Sequence, residues 1–291
     1  MFSGAMTAMI TPFADGKLDG SRLRDQVEFQ IKGGVDGLVP VGTTGESPTL
    51  DLHEHERVIE LTVQAVRGRV PVIAGVGANA TSEAIELHAF AKKAGATAGL
   101  SVNPYYNKPS QEGLYRHFMT LADKVDLPIV LYNIPGRTGI TMTPQTVARL
   151  AKHPNVVAIK ESTGSLDMAS EIMSLCDLTV ISGDDSLTLP LMSLGARGVI
   201  SVASNLLPAE IKRLTKLAAD GNFADAKAVH HKLFPLIKTL FLDGNPAGIK
   251  HAMRLAGLDG GDLRLPLVEA SEPTKQAIEE AMAKLGLKVA H

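Results

Sequence analysis

Lys160 closes a run of four apolar residues, Val156-Val157-Ala158-Ile159, and Glu161 follows it. An amine at the end of a buried strand needs a carboxylate partner or a reason to be uncharged, because burial strips away the water that an ammonium requires. The uncharged amine is a nucleophile toward carbonyl carbon. Glu161 is adjacent in sequence, but successive residues of a strand face opposite sides, so it is not the expected partner. Two readings stay open: an imine-forming nucleophile, or a structural or surface lysine.

Other polar residues sit at comparable places. Tyr132 ends the run Ile129-Val130-Leu131, where a phenol can shuttle protons or simply occupy a rim. Arg137 follows between Gly136 and Thr138; its planar fork suits a carboxylate, and a solvated loop arginine fits the pattern as well. In Gly42-Thr43-Thr44-Gly45-Glu46-Ser47 the glycines permit a tight turn that presents backbone N–H groups. Such a turn binds a small anion, although an ordinary strand-to-helix turn has the same composition. Tyr105 and Tyr106, between Pro104 and Pro109, make a rigid exposed aromatic element suited to a subunit contact or to catalysis.

The elements that must position these groups alternate. Strand-like runs fall at Ala5–Ile10, Gly37–Val41, Pro71–Gly75, Ala98–Val102, Pro128–Tyr132, Val156–Lys160, Leu178–Ser182 and Gly198–Val202. Several are apolar at consecutive positions, as strands covered on both faces are. Helical periodicity fills the gaps. Over Ser110–Lys124 it places Leu114, Phe118, Leu121 and Ala122 on one face, with Ser110 as the cap. Thr143-Pro144 reads as a helix start and Gly95 as a helix stop. Eight such units suit an open doubly wound sheet or a closed (β/α)₈ barrel, and no G-x-G-x-x-G follows the first strand. We therefore expect an α/β fold: a (β/α)₈ TIM barrel over residues 1–225 and a C-terminal helical extension over 226–291.

The 291 residues carry a formal net charge of -2, which gives no electrostatic reason to expect nucleic acid or an anionic membrane as partner. No apolar run has membrane-spanning length, and Met1-Phe2-Ser3-Gly4 lacks the pattern of a secretory signal. The single cysteine, Cys176, falls in an apolar helical pattern and reads as a core residue. No Cys/His cluster has zinc spacing. A cytoplasmic protein is the expectation.

Five segments occur in order, each at an expected strand end: Gly42-Thr43-Thr44-Gly45-Glu46, Pro104-Tyr105-Tyr106-Asn107, Tyr132-Asn133-Ile134-Pro135-Gly136-Arg137-Thr138-Gly139, Ile159-Lys160-Glu161 and Ser182-Gly183-Asp184-Asp185. Together, and over essentially the whole chain, they resemble the pyruvate-dependent aldolase superfamily of N-acetylneuraminate lyase and dihydrodipicolinate synthase. The resemblance implies a class I lyase in which Lys160 forms a Schiff base with pyruvate, with no cofactor and no metal. It implies Tyr132 as proton donor and acceptor, with Thr43 and Tyr106 completing a hydroxyl relay and Tyr106 reaching in from a neighbouring subunit. Thr44 would hold the pyruvate carboxylate, Ile200 would offer its backbone, and Gly183 would line the pocket. Arg137 and the Thr43-Thr44 pair resemble the synthase branch, where the arginine takes the carboxylate of L-aspartate 4-semialdehyde. That implies formation of 4-hydroxy-tetrahydrodipicolinate on the diaminopimelate route to lysine. An aldolase acting on N-acetylneuraminate or a 2-keto-3-deoxy sugar acid is the alternative. A pyruvate-binding barrel without turnover is another.

Ser47, His55, Asn79, Glu83 and Tyr105 match residue types of a site at which L-lysine inhibits many relatives. Glu83 also reads as a first-turn acid favoured by the helix dipole. Leu52 and Pro48 depart from the enterobacterial pattern, which has histidine and alanine there. Gly248 stands where a proline is common, with no expected effect on chemistry. A homotetramer built as a dimer of dimers is implied.

Overall fold

The computed structural model describes residues 2–287; Met1 and the last four residues of the 226–291 extension lie outside the described residues. Eight parallel strands run in chain order: β1 Gly4–Ala8, β2 Gly37–Val39, β3 Ile73–Gly75, β4 Ala98–Val102, β5 Ile129–Asn133, β6 Val156–Glu161, β7 Thr179–Ser182 and β8 Gly198–Ser201. Each neighbours the next, β8 pairs with β1, and a parallel bridge between Leu38 and Val72 joins β2 to β3. The sheet is thus a closed eight-stranded barrel, the architecture expected from the sequence. Eight helices cover it: α1 Gly20–Lys32, α2 Leu52–Val66, α3 Thr81–Ala94, α4 Gln111–Lys124, α5 Pro144–Leu150, α6 Leu166–Leu175, α7 Thr188–Leu194 and α8 Pro208–Ala219. Three more, α9 Phe223–Thr239, α10 Ala247–Leu255 and α11 Glu272–Lys284, form the C-terminal helical extension, which begins with α9, so the expected boundary between 225 and 226 falls inside that helix.

The local signals act as expected. Ser110 caps α4 by accepting from the Gly113 amide, and Thr143 caps α5 by accepting from that of Thr146. Gly95 ends α3 with φ +91°, where a side chain is strained. Cys176 bears out the core expectation in part: it follows the last turn of α6 in extended backbone and, half-buried, packs against the hydrophobic core.

Side chains of the strands alternate between the barrel interior and the helix layer. Met6, Ala8, Val130, Tyr132, Ala158, Ile181 and Ile200 fill the interior. The alternate residues, such as Ala5 and Val199, pack outward among Ile211 and Leu214 of α8. That outer cluster continues without a break into Val229, Leu233 and Leu236 of α9 and Ile278 and Met282 of α11. The extension therefore shares the barrel's own hydrophobic core. Gly248 of α10 fits under Leu240, whose carbonyl oxygen would lie 2.3 Å from a Cβ built there.

One irregularity matters for the site. The β5–β6 register runs Ile129 with Val156, then Val130 with Ala158, so Val157 is bulged. Beyond the bulge Tyr132 pairs with Lys160. In an unbroken register Tyr132 would lie beside Ile159, which faces the helix layer. Bulges commonly re-aim side chains beside functional sites, and this one puts a phenol and an amine side by side in the barrel.

Candidate active site

At the C-terminal ends of the strands a cavity of about 240 Å³ opens, lined among others by Val41, Thr43, Leu100, Tyr132, Ile134 and Arg137. Lys160, two residues after inward-facing Ala158, also points inward and is 6% exposed. Its Nζ lies 4.2 Å from the centroid of the Tyr132 ring. Among the described residues no carboxylate forms an ion pair with it. Glu161 faces the other way, toward the Thr163 amide and Asn133, and burial pushes its carboxyl up. On the far side of Lys160, a Cβ at Gly183 would stand 3.0 Å from the lysine Cε and 1.8 Å from Ser162 Oγ. A side chain there would displace Ser162 Oγ and press on the stem of the lysine. Asp184 and Asp185 lie close enough to feel the charge of Lys160, but burial dominates and pushes both carboxyls up.

The turn after β2 is strained. Val41 has φ +50° and Glu46 has φ +55°, and the former is a true outlier for a β-branched residue. The turn places the Thr43 and Thr44 amides without a hydrogen-bond acceptor among the described residues. Orphan amides of this kind suit an anion. Several ties hold the turn in place. Thr11 Oγ1 donates to the Gly45 carbonyl at 2.7 Å. The fully buried Glu46 meets the fully buried Lys250 of α10 at 2.5 Å, and Glu46 Oε2 accepts from the Arg264 amide at 3.0 Å. Burial pulls the Lys250 ammonium down, and the Glu46 charge opposes that.

The sequence-derived residues are thus distributed as follows. Thr43, Tyr132 and Arg137 line the cavity. Thr44 is buried just behind it, and Ile200 sits in the interior layer at the end of β8. Tyr106 does not approach this group within its own chain: it is 90% exposed, on strained backbone with φ +71°. Of the residues assigned to a lysine site, Ser47 and Tyr105 line the same cavity. Burial, then the charge of Glu83, pushes the Tyr105 phenol up, and the Asn79 carbonyl accepts from Asn107 Nδ2 at 2.9 Å. His55 is buried with Nε2 2.8 Å from the Gly75 carbonyl, and burial pulls its basicity down.

The structure adds Asn245, which the sequence does not single out. It sits between α9 and α10 and is 8% exposed. Its Nδ2 donates to Thr44 Oγ1 at 2.8 Å and its carbonyl accepts from Arg137 Nη2 at 3.2 Å. The only signal in the sequence is its place in Asn245-Pro246, far from the strand ends where catalytic groups collect. Among the described residues no three His, Cys, Asp or Glu side chains group to hold a metal, and no helix is long and apolar enough to cross a membrane.

Known proteins match over the whole chain. The family model described as the dihydrodipicolinate synthetase family covers residues 1–285. A 4-hydroxy-tetrahydrodipicolinate synthase of Pelobacter propionicus is 53% identical over 99% of this chain and 100% of its own length. The crystal structure of dihydrodipicolinate synthase from Aquifex aeolicus superposes with a TM-score of 0.98 at 47% identity, covering 100% of both chains. A Cyanidioschyzon merolae structure with lysine bound superposes with a TM-score of 0.96 at 41% identity, covering 98% of this chain and 99% of that one. With a buried lysine against a tyrosine, and an arginine lining the cavity beside that tyrosine, this chain belongs to the dihydrodipicolinate synthetase family.

Proposed function

We propose that this chain is a lyase that condenses pyruvate with L-aspartate 4-semialdehyde to give 4-hydroxy-tetrahydrodipicolinate, through a Schiff base on Lys160. The reading draws on relatives of that name at about half identity over full length. The observation that carries the mechanism is the Lys160 amine: buried, without an ion-pair partner among the described residues, and set against the Tyr132 ring.

The lone pair of Nζ attacks the ketone of pyruvate, and loss of water leaves a protonated imine. That cation draws electrons from the methyl group, so one proton departs and an enamine forms. The enamine carbon attacks the aldehyde of the semialdehyde, whose carboxylate Arg137 holds. The substrate's own amine then adds to the imine carbon, closes the six-membered ring and releases Lys160. Tyr132 and Thr43 on the cavity wall pass the protons, with Tyr106 contributed by a neighbouring subunit. Thr44 and its orphan amide hold the pyruvate carboxylate. Ile200 offers its backbone to the same ligand, and Gly183 lines the pocket. A homotetramer in the cytoplasm accommodates the exchange of Tyr106. L-lysine, bound in a synthase relative, acts here through Ser47, His55, Asn79, Glu83 and Tyr105, of which Ser47 and Tyr105 line the cavity.

Borohydride added with pyruvate should increase the mass of the peptide containing Lys160 by one reduced adduct, and Lys160→Ala should abolish it. An unmodified Lys160 in active enzyme sinks the Schiff-base reading. In a coupled assay, Arg137→Ala should lose the semialdehyde reaction while still forming the pyruvate adduct.

A further inference from the structure

The C-terminal extension reaches the barrel mouth through Asn245, which touches two residues of separate loops. Its side-chain amide meets Thr44 of the β2 turn, and its backbone carbonyl meets Arg137 of the β5 loop. On the proposed function, these are the groups that hold the carboxylates of the two substrates, and the role of Asn245 rests on that reading.

The polarity of the Thr44 contact is informative. A hydroxyl has one hydrogen and two lone pairs. The Asn245 amide donates at 2.8 Å, so it occupies a lone pair of Thr44 Oγ1. The hydroxyl hydrogen must then point elsewhere, and among the described residues it meets no acceptor. Next to it stand the Thr43 and Thr44 amides, also without an acceptor among the described residues. We infer that Asn245 is a positioning residue that fixes Thr44 as a hydrogen-bond donor, so that hydroxyl and backbone amides converge on one anionic substrate group, the pyruvate carboxylate.

A purely structural role explains less. Asn245 Oδ1 is buried and has no partner among the described residues. Its side chain makes one protein hydrogen bond among the described residues, the donor bond to Thr44. The donor end is used, and it is used on Thr44. The contact with Arg137, by contrast, involves only the main chain. Substitution of the side chain therefore separates the two substrates: it disturbs the pyruvate end and leaves the carbonyl that steadies the arginine.

Steady-state kinetics of the full-length enzyme with both substrates varied, together with thermal melting, test this. Asn245→Ala should raise the KM for pyruvate about tenfold, with kcat and the KM for the semialdehyde within about twofold. Asn245→Asp places a carboxylate against Thr44, draws the hydroxyl hydrogen toward itself and reverses the polarity; the pyruvate KM should rise about a hundredfold. Thr44→Val combined with Asn245→Ala should be no worse than Thr44→Val alone, because the asparagine acts through the threonine. Equal effects of the alanine and aspartate variants would overturn the inference. So would multiplied losses in the double variant, or a parallel rise of both KM values with a lowered melting temperature. If wild-type enzyme forms no borohydride-trapped pyruvate adduct, or Thr44→Val leaves the pyruvate KM unchanged, the proposed function fails instead. Should both of those succeed while the Asn245 variants stay flat, only the role of Asn245 is lost.

Discussion

The two sides of the barrel mouth are built on opposite plans. Around the ends of β7 and β8 the loops satisfy one another. Asp185 is buried and accepts from Ser201 Oγ and from the amides of Val202 and Ala203. Asn205 Nδ2 donates to the Ala8 carbonyl at 2.7 Å, and Ser204 Oγ to Thr7 Oγ1 at 2.8 Å. Around the ends of β2 and β4 the loops are strained instead. Val41, Glu46, Tyr106 and Lys108 all have positive φ there. The other two non-glycine cases lie in ordinary places, Asp15 in a hairpin turn and Arg67 at the left-handed end of α2. The saturated side abuts the reactive amine through Gly183, and the strained side carries the groups proposed to grip the pyruvate carboxylate and to relay protons. Strain of about 1–3 kcal/mol per residue persists only when something else holds the backbone. The holder of the β2 turn is remote in sequence, Lys250 of the extension on Glu46; the aromatic loop is tied by Asn107 Nδ2, which donates to the Asn79 carbonyl just before α3.

The largest effect should come from removing the first holder. Lys250→Met leaves Glu46 fully buried without its counter-charge, a loss of about 3–5 kcal/mol. Urea unfolding reads it directly. Lys212→Met, which breaks the partly exposed pair with Asp36, should cost no more than about 1 kcal/mol. Equal losses would mean that the strained turn does not depend on the extension.

Acid should act on the helix layer beside these loops. His117 of α4 is 5% exposed, with Nδ1 2.9 Å from Thr81 Oγ1 of α3. Burial lowers its pKa from the ordinary 6.5 to about 4. The folded state thus favours the neutral ring. Its contribution is intact above about pH 6.5 and is lost as the pH falls toward 4, because the unfolded chain takes up the proton first. The gap corresponds to about 3 kcal/mol. His55 and His88, also buried, move in the same direction. In His117→Asn the fall in unfolding free energy between pH 7 and pH 4 should therefore shrink without vanishing. An unchanged acid limb would mean that the buried His117 ring does not contribute to the acid sensitivity of the fold.

Much of this division is legible in the sequence, and the reasons differ by side. Runs such as Val156–Ile159 announce strands covered on both faces, and strand parity puts Lys160 and Glu161 on opposite faces. Ser110, Thr143 and Gly95 mark helix ends because capping is a local interaction. The bulge at Val157 is not legible, since register depends on the partner strand. Neither are Glu46–Lys250 or Asn245–Thr44, in which the partners are about two hundred residues apart and nothing in either neighbourhood names the other. By sequence Glu46 is part of a turn motif, and Lys250 is the end of a segment with one unusual glycine. Cys176 reads as helical because an apolar periodicity continues one residue past the turn where α6 ends.

The smallest expected effect probes the strain itself. Lys108 has φ +44° and an exposed side chain, so its backbone conformation costs energy that no burial of its own returns. Asparagine tolerates the left-handed region better than lysine and, unlike glycine, does not greatly loosen the unfolded chain. Lys108→Asn should raise the unfolding free energy by a few tenths to about 1 kcal/mol, with kcat/KM for pyruvate within about twofold because the loop keeps its course. Arg67→Asn, with φ +52° at the end of α2, should gain a similar amount. If Arg67→Asn stabilises and Lys108→Asn does not, the aromatic loop relaxes at no cost in the native assembly. The contrast between a strained and a saturated side would then hold for the β2 turn alone, where Val41 and Glu46 are locked by buried partners.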